Sequence, residues 1–440
     1  LSRQLRRTIS LLVLGLVLAA ISAAALAMRH PGIDPIAAPD PAGLDRDLVD
    51  RGRLLATFGG CAGCHEPAPG QGLTGGVRLQ TPFGAIYSTN ITPHPGTGVG
   101  TWSEAAFRRA MREGVDRTGG YLYPAFPFDH YTEVSDEDIA AIYAFLMSEP
   151  PRAAPQRASE LDFPFSVRPL MAAWTLLFHE PGPYRPDPDR DAIWNRGAYL
   201  VEGLGHCAAC HSPRNALGAR DRARDYAGGV AEGWLSPALD HTSPAPIAWT
   251  EDALVNYLYD GWDEDHGIAA GPMKDVITQT GAMPEDDVRA IAVYLLSLQD
   301  RRRRGDEAAA AARAFATTVQ FGAASPPPPP SEPAMARGHA IFEQRCANCH
   351  RSGSQTVPLA LATALAAPDP GNFIRVTLDG VTPGENAYFV RPMPGFPMLG
   401  DDEVADLAAF SRSRFSNEPP WTGIGAAVSQ VRASMAAPTP

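Results

Sequence analysis

The sequence predicts a mostly α protein, built as three tandem helical units with long loops and preceded by one N-terminal transmembrane helix. Three observations carry this reading. An apolar run without charge extends from Ile9 to Met28. Cys-x-x-Cys-His occurs three times, as Cys61/Cys64/His65, Cys207/Cys210/His211 and Cys346/Cys349/His350. Downstream of each motif, an acidic start introduces apolar residues at helical spacing. A chain of 440 residues, 45% of them apolar, is long enough for about three domains with a core each.

The run from Ile9 to Met28 is long enough to cross the hydrocarbon as a helix, and Arg3, Arg6 and Arg7 before it should stay cytoplasmic. Ala25-Leu26-Ala27 also fits a signal cleavage site, so residues 1–30 read as anchor or signal. Either way the remainder is exported, and the expected location is the periplasmic face of a bacterial inner membrane. The net charge of −12 argues against nucleic acid as a partner. Pro 43 and Gly 41 point to much irregular loop and exclude long coiled coils.

The three units occupy residues 45–150, 191–300 and 334–416. Arg51-Gly52, Arg196-Gly197 and Arg337-Gly338 precede the three motifs, and each pair is expected to open a short helix leading into the cysteines. The closing helices carry Ile139, Ile142 and Phe145; Val288, Ile291 and Tyr294; and Val404, Leu407 and Phe410, each set on one helix face. Ser135 with Asp138 forms a capping-box variant, and Pro284 suits a first helical turn. Trp102-Ser103-Glu104 and Trp249-Thr250-Glu251 recur before helical stretches as Ser and Thr caps. Residues 151–190 read as a proline-rich linker, with Leu170 to Phe178 packing across the first two domains. Residues 301–333 form a second linker that ends in the stiff run Pro326 to Pro330, and residues 417–440 a C-terminal tail. Arg301 to Arg304 read as a solvated helix end.

Cys-x-x-Cys-His is the attachment pattern of haem c: two thioether bonds to the vinyl groups, with the adjacent histidine as iron ligand. Structural zinc would need two such pairs close together, and these stand far apart in the chain. A thioredoxin-type pair would not require histidine after every motif. The expected cofactors are three covalently bound haem c groups, on cytochrome c-like domains. Their attachment points are Cys61, Cys64, Cys207, Cys210, Cys346 and Cys349, and their proximal ligands His65, His211 and His350.

The sixth ligand decides between electron transfer and chemistry at the iron. In the third unit Met393, in Arg391-Pro392-Met393-Pro394-Gly395-Phe396, is the first candidate and Met398 the second. In the second unit Met273 is preferred over Met283. The first unit reads Tyr123-Pro124-Ala125-Phe126-Pro127-Phe128-Asp129-His130 and has no methionine in the loop. His130 is the expected replacement, with Met111 or an open iron as alternatives; His/His ligation would lower that haem's potential. His94, His179, His206, His241 and His266 show no metal-site spacing, no serine or cysteine nucleophile pairs with a histidine, and no nucleotide-binding loop is present. No catalytic residue is assigned.

Tyr87-Ser88-Thr89-Asn90-Ile91-Thr92-Pro93, Gly203-Leu204-Gly205-His206-Cys207 and Arg391-Pro392-Met393-Pro394-Gly395-Phe396 resemble the trihaem cytochrome c subunits of bacterial membrane-bound dehydrogenases. The likeness covers nearly all of residues 45–416. It implies electrons entering from a separate catalytic subunit and leaving to ubiquinone or a terminal oxidase. The family serves quinoprotein alcohol, flavin sugar, and molybdenum aldehyde or nicotinate dehydrogenases. Many relatives carry methionine where this chain has Phe126, and the wording around Phe126 and His130 is similar to subunits paired with molybdenum hydroxylases. The rival reading is a peroxidase-like haem enzyme with an open first haem; a terminal-oxidase subunit is a third.

Overall fold

The computed structural model describes residues 30–299, 330–350, 358–384 and 390–436, together with Ala312 and Ala387. The Ile9–Met28 run, the Arg301–Arg304 run and most of the second linker lie outside the described residues. Among the described residues, no helix is long and apolar enough to cross a membrane. The described residues of Leu1–Arg53 and Cys64–Tyr184 make one compact unit, and those of Leu54–Gly63 and Arg185–Pro440 another.

The first domain runs through α1 (Arg46–Phe58), α2 (Cys61–His65), the hairpin β1 (Arg78–Thr81) and β2 (Gly84–Tyr87), α3 (Glu104–Glu113), α4 (Phe128–Tyr131) and α5 (Asp136–Ser148). The segment expected to be a linker carries structure of its own. Strand β3 (Glu160–Leu161) pairs antiparallel with β2, Ala85 opposite Glu160. Helix α6 (Met171–Phe178) sets Trp174 edge-on against Phe128 of the first domain. Its apolar residues cover only one side, so Leu176 and Leu177 are left exposed.

The second domain repeats the order: α7 (Ala192–Tyr199), α8 (Ala208–His211), the hairpin β4 (Gly229–Ala231) and β5 (Trp234–Ser236), and α9 (Glu251–Asp260). It closes with the pair β6 (Trp262–Asp263) and β7 (Gly267–Ile268), then α10 (Met273–Thr280) and α11 (Glu285–Ser297). The third contains α12 (Pro333–Arg345), α13 (Thr363–Ala366), α14 (Gly371–Asp379), the pair β8 (Gly380–Val381) and β9 (Met393–Pro394), and α15 (Asp401–Phe415). The expected C-terminal tail is instead mostly helix, α16 (Ile424–Ala436), whose Val428 and Val431 join Ile374, Leu378 and Val404 in the third core. Apolar residues at helical spacing provide it with a face to bury.

Each core is the crossing of an opening and a closing helix. On the closing helices Ile139, Ile142, Val288, Ile291, Val404 and Leu407 are all buried, each worth about 1.5–3 kcal/mol on removal from water. The Arg-Gly pairs do not open the helices; they lie inside α1, α7 and α12. Their position follows from the crossing. A Cβ on Gly52, Gly197 or Gly338 would overlap the backbone carbonyl of Ala141, Ala290 or Asp406, so only glycine lets the two backbones approach. The neighbouring arginine then clips the pair: Arg51 Nε donates to Asp138 at 2.8 Å, Arg196 grips Asp287 through both Nε and Nη2 at 2.7 and 2.8 Å, and Arg337 Nε donates to Asp406 at 2.6 Å. In the third domain the acid has moved nearly one turn along the helix, from just before the first apolar position to two residues after it.

Ser103 and Thr250 cap α3 and α9 by accepting from the N–H of Ala106 and Ala253. Ser135 accepts from Asp138 N–H to start α5, while the Asp138 carboxylate turns to Arg51. Helices α3 and α9 end on Gly114 and Gly261 in the left-handed conformation, at φ 64° and 79°. From there the chain doubles back into a bridge between Val115 and Tyr121 in the first domain and the β6–β7 pair in the second. The third domain uses β8 and β9 at this place, with Val381 opposite Met393.

Candidate haem-attachment sites

In the first two domains the motif forms a helical turn, Cys61–His65 and Ala208–His211, which presents cysteine, cysteine and histidine from one short segment. None of the six cysteines is in a disulfide. Burial, with Glu202 and Cys210 adding, pushes the Cys207 thiol up to about 12, and burial with Cys349 pushes Cys346 up to about 11. Such thiols stay protonated, unlike the low-pKa thiolates of redox pairs. Among the described residues, no three His, Cys, Asp or Glu side chains come together as a metal-ion site.

The histidines are oriented by backbone. His65 Nδ1 donates to the Thr89 carbonyl at 2.6 Å, and His211 Nδ1 donates to the Pro237 carbonyl at 2.7 Å. A carbonyl only accepts, so the ring proton sits on Nδ1 and Nε2 keeps its lone pair, the arrangement that a metal-bound imidazole uses. Burial lowers the pKa of both rings, as it does for His350, and favours the neutral, ligating form. His350 Nδ1 is buried without a hydrogen-bond partner among the described residues. In the first two domains the donor set thus fits a covalently held haem: two cysteines outside any disulfide and an imidazole whose Nε2 keeps its lone pair.

The carbonyl partners are what the sequence reading missed. Thr89 and Pro237 follow β2 and β5, and the hairpins return them to the motif: Gly75 N–H donates to the His65 carbonyl and Gly228 N–H to the His211 carbonyl. Side chains cannot announce such a role, because the carbonyl belongs to the backbone. A signal for Thr89 did exist in Asn90, buried at 4% exposed, which accepts from Thr92 N–H and Oγ1 and donates to the Arg152 carbonyl at 2.7 Å. Glu202 was also missed. Behind Cys207 it accepts 2.6 Å hydrogen bonds from both Tyr226 and Tyr294.

The candidate sixth ligands fall in different settings. Phe126 follows the Val115–Tyr121 bridge by the same interval at which Met273 follows the Trp262–Ile268 pair, so Phe126 holds the register position of Met273. Met273 opens α10 and is half-buried, whereas Met283 is buried in the core. Met393 is half-buried in β9, and Met398 is 92% exposed. His130 is buried in the short helix α4, and Met111 is buried on α3. His94, His206 and His266 serve local structure, bonding to Thr97 N–H, the Gly205 carbonyl and Asp263 respectively.

The family model described as cytochrome c matches residues 49–149 and 195–299, and that of the cbb3-type cytochrome c oxidase subunit III matches residues 333–410. A nicotinate dehydrogenase subunit of Pseudomonas putida is 42% identical over 91% of this chain, which spans 33% of that protein. The gluconate 2-dehydrogenase cytochrome c subunit of Pantoea cypripedii is 35% identical, over 84% of this chain and 86% of its own length. The fructose dehydrogenase cytochrome subunit of Gluconobacter japonicus is 34% identical, over 90% and 85%.

Proposed function

Because the chain belongs to the family of dehydrogenase cytochrome c subunits, we propose that it is the electron-transfer subunit of such a complex, with three covalent haem c groups in series. It takes electrons from a catalytic dehydrogenase subunit and delivers them to a quinone or terminal oxidase. The apolar run from Ile9 to Met28 would hold it at the periplasmic face of the inner membrane. The nicotinate dehydrogenase relative favours a partner of that kind, and the resemblance around Phe126 and His130 implies one of the molybdenum-hydroxylase type.

The observation that carries this reading is the pair of backbone clamps on His65 and His211 beside cysteines that form no disulfide. A haem bound there supplies a one-electron iron couple. The chain's own residues do the remainder. Cys61, Cys64, Cys207, Cys210, Cys346 and Cys349 tether the group covalently and fix its place. The Thr89 and Pro237 carbonyls hold the imidazole planes still, which keeps reorganisation small. Met273, Met393 and His130 are the side chains that would complete the ligation of the bound groups and so would shut out dioxygen and other small ligands. No proton or atom is exchanged with a substrate.

The test is the mass and reactivity of the protein matured with its haem-attachment machinery. After denaturation the chain should exceed its bare mass by three haems, and the native haem-loaded chain, mixed with its dehydrogenase and that enzyme's reducing substrate, should reduce a quinone acceptor. Rapid cyanide binding at one haem would favour the peroxidase-like alternative. A bare-chain mass would end both.

A further inference from the structure

The second and third domains meet at the β4–β5 hairpin through specific polar groups, and again where Ile247 packs against Ala360 and Leu361. The Asn372 side chain, on α14, pairs with the backbone of Leu235 on both sides: its Nδ2 donates to the Leu235 carbonyl at 2.8 Å, and its Oδ1 accepts from the Leu235 N–H at 2.9 Å. One turn along, Arg375 Nε donates to the Gly233 carbonyl at 3.1 Å and its guanidinium lies 5.6 Å from the centroid of the Trp234 ring. Arg375 is buried, and its Nη2 is tied to Ser434 Oγ of α16 at 2.6 Å. An arginine buried to this extent loses hydration, so its hydrogen bonds must replace what water gave.

Both ends of this contact lead to candidate haem ligands. On the second-domain side, the hairpin continues into Pro237, whose carbonyl holds His211, and Trp234 packs on Gly271, two residues before Met273. On the third-domain side, α14 runs directly into β8, which pairs Val381 with Met393, and the Thr377 carbonyl accepts from Phe396 N–H just beyond. A short, hydrogen-bonded path therefore joins the clamp of His211 to the strand of Met393. Domains joined in one chain move relative to each other unless their interface is large or specifically latched.

Resting on the electron-transfer reading above, we propose that the hairpin tip gripped by α14 is the junction for electron transfer between the second and third haems, with Asn372 and Arg375 as its positioning residues. A haem held by each domain would serve as donor and acceptor of one electron, and no proton, atom or further reactant would take part. The two residues do not carry the electron. They hold the separation at which it crosses.

The experiment uses the full, haem-loaded chain and its Asn372→Ala and Arg375→Ala variants. A sub-stoichiometric pulse of reducing radical is followed by the spectral redistribution between haems, and the three midpoint potentials are titrated separately. The expected result is unchanged midpoints with redistribution slowed severalfold, because electron tunnelling falls off exponentially with the gap that a loosened contact lets open. A redistribution rate equal to wild type, or one that falls only together with a shifted midpoint, overturns the proposal. Where Arg375→Ala fails to load three haems, Asn372→Ala alone decides, since it removes only the two bonds to Leu235. Absence of any redistribution in the wild type would instead overturn the relay reading itself.

Discussion

Gly197 lies directly against the carbonyl of Ala290, at the point where the opening and closing helices of the second domain cross. Two effects compete on replacing it with alanine. Helix propensity favours the change by about 1 kcal/mol, and overlap with backbone that cannot yield opposes it by about 1–3 kcal/mol. The overlap wins, because the obstructing atom is a carbonyl oxygen and not a flexible side-chain end. Gly197→Ala should lower the denaturant midpoint of the full chain by the equivalent of about 1–2 kcal/mol, at an unchanged slope. A raised midpoint would mean that the helices simply move apart.

Asn90 links a buried turn to the clamp on His65. Removing its side chain leaves the buried Thr92 N–H without its partner, while the Arg152 carbonyl keeps the Thr92 hydroxyl at 3.1 Å. Asn90→Ala should cost about 2 kcal/mol in unfolding experiments. It should also shift one midpoint potential of three, because the neighbouring Thr89 carbonyl orients His65. A stability loss with all three potentials intact would show that the clamp is independent of the turn.

Axial ligation separates two methionines that lie close in sequence. Met393→Ala should convert one low-spin haem to high-spin in the absorption spectrum, whereas Met398→Ala, at a residue 92% exposed, should leave the spectrum unchanged. His130→Ala should convert a different haem, additively with Met393→Ala. A spectrum indifferent to His130→Ala would remove that histidine from the first site.

Alkaline stability follows from two phenols of the second domain. Burial pushes Tyr257 up to about 12, and burial together with the negative charge of Glu202 raises Tyr226 well above the ordinary tyrosine range. The unfolded chain releases these protons near pH 10 while the folded chain keeps them. Stability is therefore complete below about pH 10 and declines as the pH rises toward 12, by about 1.4 kcal/mol per pH unit for each phenol. Denaturant midpoints measured from about pH 8 to 11 should show this decline, and Tyr257→Phe should make it shallower. A midpoint that stays level across the range would contradict it.

Much of the architecture is legible in the chain because it rests on local periodicity. The apolar positions from Ile139 to Phe410 announce the closing helices, and Ser103, Thr250 and Ser135 announce where helices begin. The Arg-Gly pairs are visible but do not mark helix starts, since close approach to a distant helix leaves the same glycine signal as a helix end. Residues 151–190 and 417–440 look like linker and tail because their proline content and short apolar runs hide the partners they pack on.

The three cysteine pairs, and the histidine that follows each, can be read from the chain alone, because that pattern lies within five consecutive residues. Folding was needed to show which carbonyls orient His65 and His211, that Phe126 holds the register of Met273, and that Asn372 and Arg375 grip the neighbouring domain's hairpin. Those relations join backbone and side chains distant along the chain, and a hydrogen bond between them leaves no periodic trace in composition or spacing.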